Sequence, residues 1–131
     1  MNKILLLCLV VLTASFSSTA LQGQTLKLPS GRLVKVLGVG RIEFSQGAPA
    51  LMMKYETDLK MNDLKAVRKE ADEIWSSVFQ AEVEKAGLQG GILSATEKAT
   101  GFLFQKANGY NFVYEKRADG KWHCLDDDKS K

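Results

Sequence analysis

NDLKAVRKEADEIWSSVFQAEVEKA, residues 62–86, decides the architecture. Leu64, Val67, Ala71, Ile74, Val78 and Ala81 recur at three- and four-residue steps, and Trp75, Phe79 and Val83 widen the stripe. That period predicts one amphipathic helix. Lys65, Lys69, Glu70, Asp72, Glu73, Glu82 and Glu84 fall largely on the other side, where they are expected in water. Asp58 or Asn62 can cap the start by accepting an orphan backbone N–H. Gly87 suits the left-handed position that ends a helix, with Leu88 supplying the apolar contact after it. A single helix of this kind must bury its stripe on something.

The flanking sequence supplies a sheet. Before the helix, residues 32–44 alternate, with Val34, Val36, Gly38, Gly40, Ile42 and Phe44 on one face and Leu33, Lys35, Leu37, Val39, Arg41 and Glu43 on the other. The period of two predicts a strand. Two glycines on one face predict a bend, a bulge or a close approach. SQGAP at 45–49 reads as a turn. Leu51, Met53, Tyr55 and Thr57 then alternate with Met52, Lys54 and Glu56 in a second strand, antiparallel to the first. Residues 21–31 read as a loose lead-in, extended near Thr25 to Leu28.

After the helix come four expected strands, at 92–98, 102–106, 110–116 and 121–125. Asn108-Gly109 suits a tight hairpin turn because both positions tolerate positive φ. Asp119-Gly120 marks another turn. The expected fold is α+β: one helix across an antiparallel sheet of five or six strands, in the order ββ-α-ββββ. Residues 21–125 form the domain, and 126–131 a charged flexible tail.

The chain has 131 residues, enough for one domain, with 45% apolar and 25% charged residues. These values exclude a disordered chain, a collagen-like fibre and a disulfide-dense miniprotein. A net charge of +3 is too small for a nucleic-acid binder. Residues 1–20 have the pattern of a cleaved secretory signal: Lys3, an apolar run over 4–12, then small residues ending at Ala20. The run is shorter than the roughly 20 residues that span a bilayer. Cys8 belongs to that run, and no later apolar stretch anchors the chain once the signal is cut. The expected location is therefore outside the cytoplasm, periplasmic or secreted. The sequence has no Asn-x-Ser/Thr site and no disulfide framework, which favours a bacterial periplasm.

Chemistry is sparse. His123 is the single histidine. Successive strand residues face opposite ways, so His123 and Cys124 are not expected to form a nucleophilic pair. The ligands for a zinc site are lacking, and Asp126-Asp127-Asp128 lacks the spacing of a calcium loop. Phosphate-loop, Gly-x-Ser-x-Gly and His-Glu-x-x-His motifs are absent. Paired carboxylates such as Glu70 and Glu73 read as solvated helix residues. No cofactor or metal is expected. Cys124, the one cysteine beyond the signal, reads as a buried strand residue, a free thiol or an intermolecular disulfide.

Phe102, Phe104, Tyr110, Phe112, Tyr114 and Trp122 alternate on neighbouring strands. They read first as the core beneath Ile74, Trp75 and Phe79. The other reading is a pocket for a small apolar ligand, lined by Tyr55, Trp75, Tyr110, Tyr114 and Trp122 with Met52, Met53 and Met61 at hand. The leading functional expectation is an exported, non-catalytic domain that binds a partner of the cell envelope. Its sheet edge, with Leu33, Leu37 and Val39, is the expected surface. A homodimer through that edge or through Cys124 is a further partner expectation. A ligand carrier and an enzyme using His123 as general acid/base are the alternatives.

Overall fold

Residues 23–98 and 108–129 are described by a computed structural model of the chain. The expected signal over 1–20 and the expected strand over 102–106, with Phe102 and Phe104, lie outside these residues. Six strands follow one another across a single mixed sheet: β1 (Thr25–Lys27), β2 (Leu33–Ile42), β3 (Ala50–Thr57), β4 (Gly90–Glu97), β5 (Gly109–Lys116) and β6 (Trp122–Cys124). The helix joins β3 to β4, so the described order is βββ-α-βββ rather than ββ-α-ββββ. The α+β class with one long helix on a six-stranded sheet is as expected.

Four strand pairs are antiparallel, but β3 and β4 are parallel, with Met53 beside Leu93 and Tyr55 beside Ala95. The helix is the reason. A chain that leaves one strand, crosses the sheet as a helix and pairs with the adjacent strand arrives in the same direction. The Asn108-Gly109 turn does not form as expected. Gly109 already belongs to β5 opposite Thr96, and its φ is not positive.

The helical segment has three parts: α1 (Leu64–Ile74), a π-helical turn (Trp75–Phe79) and α2 (Gln80–Lys85). Its cap is Asp63, one residue past the expected Asn62, and the Asp63 carboxylate accepts from the Ala66 N–H. At the other end Gly87 has φ 71°, its N–H bonds Glu84 C=O, and Leu88 N–H bonds Val83 C=O. That pair of bonds is the Schellman closure read from Gly87-Leu88. The π turn was not expected. The Ser77 hydroxyl donates to Glu73 C=O at 2.6 Å, and Gln80 N–H reaches Trp75 C=O. One extra residue in the turn shifts the stripe by one position. Phe79 and Val83 are therefore buried, Val78 is half-buried and Ala81 is exposed.

A second irregularity lies in β2. Val36 pairs with Tyr55 but Gly38 pairs with Lys54, which leaves Leu37 as a bulge. The glycines predicted such a device. Beyond the bulge the alternation reverses, so Val39 sits opposite the buried Met53 on the helix side of the sheet. The core lies between sheet and helix. Val34, Val36, Met53, Tyr55, Leu93, Ala95 and Phe112 meet Val67, Ala71, Ile74, Trp75, Phe79 and Val83. Burying each large apolar side chain here stabilises the fold by about 1.5–3 kcal/mol. The stretch expected as a free tail begins with a short helical turn, α3 (Asp126–Lys129). Arg68 pairs with Asp127, Arg117 pairs with Asp128, and Tyr110 Oη donates to Asp126 at 2.9 Å.

Candidate functional site

Three of the five aromatic residues read as ligand contacts come together. The Trp75 ring lies flat on Tyr114, centroids 4.3 Å apart and planes within 2°, and meets the Trp122 ring edge-on at 5.0 Å. The helix provides Trp75, β5 provides Tyr114 and β6 provides Trp122. They border an open cleft of about 370 Å³ whose other walls include Arg68, Asp72, His123, Cys124 and Asp127. The cleft lies beside the helix rather than beneath it. Trp75 and Tyr114 are buried, and Trp122 is only partly exposed.

The polar side of the cleft is tied together. Asp72 Oδ1 accepts from Tyr114 Oη at 2.9 Å and from Arg68 Nε at 2.9 Å, and Arg68 also reaches Asp127. Burial, and then the Asp72 carboxylate, push the Tyr114 hydroxyl well above the usual phenol range. Trp122 Nε1 donates to Glu84 Oε1 at 3.0 Å, and this bond, with one from Gln80, holds the Glu84 carboxyl below its ordinary value.

Tyr110 and Tyr55 stand apart from the cleft. Tyr110 packs against Phe112, with centroids 4.9 Å apart. Tyr55 is fully buried in the core under the helix. Of the methionines, Met53 is core, while Met52 and Met61 are half-buried.

Cys124 is 4% exposed at the floor of the cleft, and burial pushes its thiol up. A covered sulfur with little thiolate is a poor nucleophile and a poor partner for a bridge to a second chain. His123 Nε2 lies 3.0 Å from Asp119 Oδ2, and Asp119 also takes the Lys121 N–H. These two bonds, the backbone one first, hold the Asp119 carboxyl down and brace the β5–β6 turn. Among the described residues no group of three or more His, Cys, Asp or Glu is placed to hold a metal, and no helix is long and apolar enough to cross a membrane.

A polar cluster missed in the sequence lies at the other end of the helix. Glu70, expected in water, has a side chain that is 0% exposed, and Arg32 Nε donates to its Oε2 at 2.7 Å. Arg32 also pairs with Asp58. Glu73 accepts the Ser30 hydroxyl at 2.7 Å and its backbone N–H at 2.5 Å. The turn between β1 and β2 is thereby clamped to α1. The signal was available: Glu70 lies three residues after Val67 and four before Ile74, inside the apolar stripe.

The third feature is the sheet edge. β1 covers only residues 33–35 of β2 in register, with the bonds of Val36 extending it by one. Among the described residues no strand pairs with the outer side of residues 37–42. Leu33 is 57% exposed and Leu37 36% exposed on the helix-free face. Comparison with protein-family models, with curated proteins and with solved structures finds no match for this chain.

Proposed function

We propose that this chain is an exported, non-catalytic domain that binds an extended segment of a cell-envelope protein along the outer edge of β2. The observation that supports this reading is that edge: among the described residues no strand covers the outer side of residues 37–42, next to the exposed Leu33 and Leu37. Edge backbone groups without a partner are templates for an added strand, and alternate side chains give such pairing its selectivity. The pattern of residues 1–20 supports export. A photo-crosslinking residue at position 37, introduced in the native host, should yield an adduct with one envelope protein, while the same probe at the exposed Lys65 of the helix should not. No adduct from position 37, or equal adducts from both, would reject the reading. Recovery of the protein from the cytoplasm with residues 1–20 intact would reject the export part of it.

The aromatic cleft supports a second reading, a carrier of a small ligand. Its walls mix Trp122 and Tyr114 with Asp72, Arg68 and Asp127. Such a lining suits an amphipathic ligand better than the purely apolar one read from the sequence. Native mass spectrometry of protein from its own host tests it. A retained small molecule that is lost in Trp122→Ala is the expected result, and protein of bare chain mass sets this reading aside.

A further inference from the structure

The cleft beside the helix has three features that bear on what it would take. The first is the π-helical turn, which begins at Trp75 and puts both Trp75 and Ser76 in the cleft wall. Single π turns set into an α-helix are frequent at functional sites. The second is the setting of Trp122. Glu84 holds its Nε1 at 3.0 Å and Trp75 meets its ring edge-on, yet the side chain stays partly exposed in the cleft wall. An indole held in this way is an apolar surface of fixed orientation with a polar tip already satisfied. The third is the mixture of charge. Arg68 stands between two carboxylates, giving Nε to Asp72 and Nη2 to Asp127, with Nη1 committed to neither.

These features select a class of ligand. At about 370 Å³ the cleft has the size of a small-molecule site. A cation would meet the Arg68 guanidinium there, and an anion would meet the carboxylates of Asp72 and Asp127. A purely apolar molecule would strip water from all three charged groups and return no hydrogen bond. A neutral ring that bears hydroxyls meets none of these objections. A hydroxyl both donates and accepts, a carboxylate only accepts and a guanidinium only donates. Such hydroxyls therefore give protons to Asp72 and Asp127 and accept from Arg68, while the C–H side of the ring lies against the indole. We infer that the cleft takes a neutral sugar, with a pyranose ring packed on Trp122 and its hydroxyls on Arg68, Asp72 and Asp127. The inference rests on the reading of this cleft as a ligand site and gives that ligand its chemistry.

The test uses the whole folded chain. The probes are the methyl pyranosides and disaccharides of glucose, galactose, mannose and N-acetylglucosamine, each at millimolar concentration, with choline and benzoate as the cationic and anionic controls. At least one sugar should shift the NMR signal of the Trp122 indole N–H, and saturation of the protein should pass to the ring C–H protons of that sugar. Trp122→Ala should abolish the binding. Asp127 is exposed and its ion pair with Arg68 is near the surface, so Asp127→Ala keeps the fold. It should weaken the sugar roughly tenfold, as loss of a charged hydrogen-bond partner does. A sugar held equally well by both variants sits elsewhere and overturns the inference. A Trp122 signal that answers to choline or benzoate and to no sugar overturns it too, while leaving the cleft a ligand site of another class. Silence towards every probe also overturns it, and the carrier reading falls with it only where protein from its own host has the bare chain mass. Should Trp122→Ala fail to fold, Asp127→Ala decides alone.

Discussion

Gly91 faces Trp75 so closely that a β carbon on Gly91 would sit 2.6 Å from Trp75 Cζ3 and 3.0 Å from a Val83 methyl. Gly91 is also the cross-strand partner of Tyr114, the residue on which Trp75 is stacked. The missing side chain on β4 is therefore what lets the indole lie flat on its neighbour's ring. Trp75 has little freedom to move aside, since Phe79 and Trp122 meet it edge-on. Gly91→Ala is expected to destabilise the fold by about 1–3 kcal/mol, the usual cost of overpacking a filled core. A fall in the denaturant midpoint at unchanged m value checks it. Tryptophan fluorescence should change with it.

The Arg32–Glu70 pair joins the β1–β2 turn to α1, with the Glu70 side chain fully covered and the Arg32 side chain 35% exposed. Arg32→Met keeps the length of the stem and strands a buried charge. The expected loss is about 3 kcal/mol, at the low end for breaking a buried pair because water still reaches the arginine side. The double variant Arg32→Met with Glu70→Leu should recover much of that loss, since two apolar groups leave no charge to desolvate. A double variant no more stable than the single one would show that the pair does more than neutralise Glu70.

Leu37 tests the edge without touching the core. It is the bulged residue of β2 and partly exposed, so Leu37→Lys is expected to change stability by no more than about 0.5 kcal/mol. The same substitution places a charge where an added strand would pack, a device that natural sheet edges use to refuse partners. Thermal unfolding should be unchanged while crosslinking from a neighbouring edge position such as Val39 is lost. Retention of the adduct would move the binding surface away from β2.

The helix was legible because its period is long, its stop signal is specific and its stripe is apolar. The π turn was not, since the back-bonding of Ser77 to Glu73 C=O depends on local geometry that spacing does not carry. Phe79 and Val83 were read as part of the stripe, but the displacement of Val78 and Ala81 from the core was hidden with it. The bulge at Leu37 was legible through Gly38 and Gly40. The parallel pairing of β3 and β4 follows from a helix that joins adjacent strands, a topological fact that alternation along each strand does not contain. Of the cleft, Trp75, Tyr114 and Trp122 were readable as aromatic positions on facing elements. Asp127 was not, because it reaches Arg68 only through the short helix after β6, whereas Arg68 and Asp72 pair within α1 at an i,i+4 spacing.

Alkaline pH should unfold this domain in a definite order. Burial raises the Tyr55 and Tyr114 hydroxyls and the Cys124 thiol above their ordinary values. In the unfolded chain the thiol loses its proton near pH 8.5 and the phenols near pH 10. Above those values the unfolded state releases protons that the folded state keeps, so stability falls as pH rises. The contribution is fully present below the unfolded values. Above pH 10 each of the two buried phenols removes about 1.4 kcal/mol per pH unit. The tyrosinate absorbance of Tyr55 and Tyr114 should therefore appear together with loss of the circular-dichroism signal, not before it. A thiol reagent should likewise react with Cys124 slowly at pH 8 and at full speed in denaturant. Full tyrosinate absorbance in a chain with native circular dichroism would show that water reaches these hydroxyls, and the stacked Trp75–Tyr114 floor of the cleft would then have to open in solution.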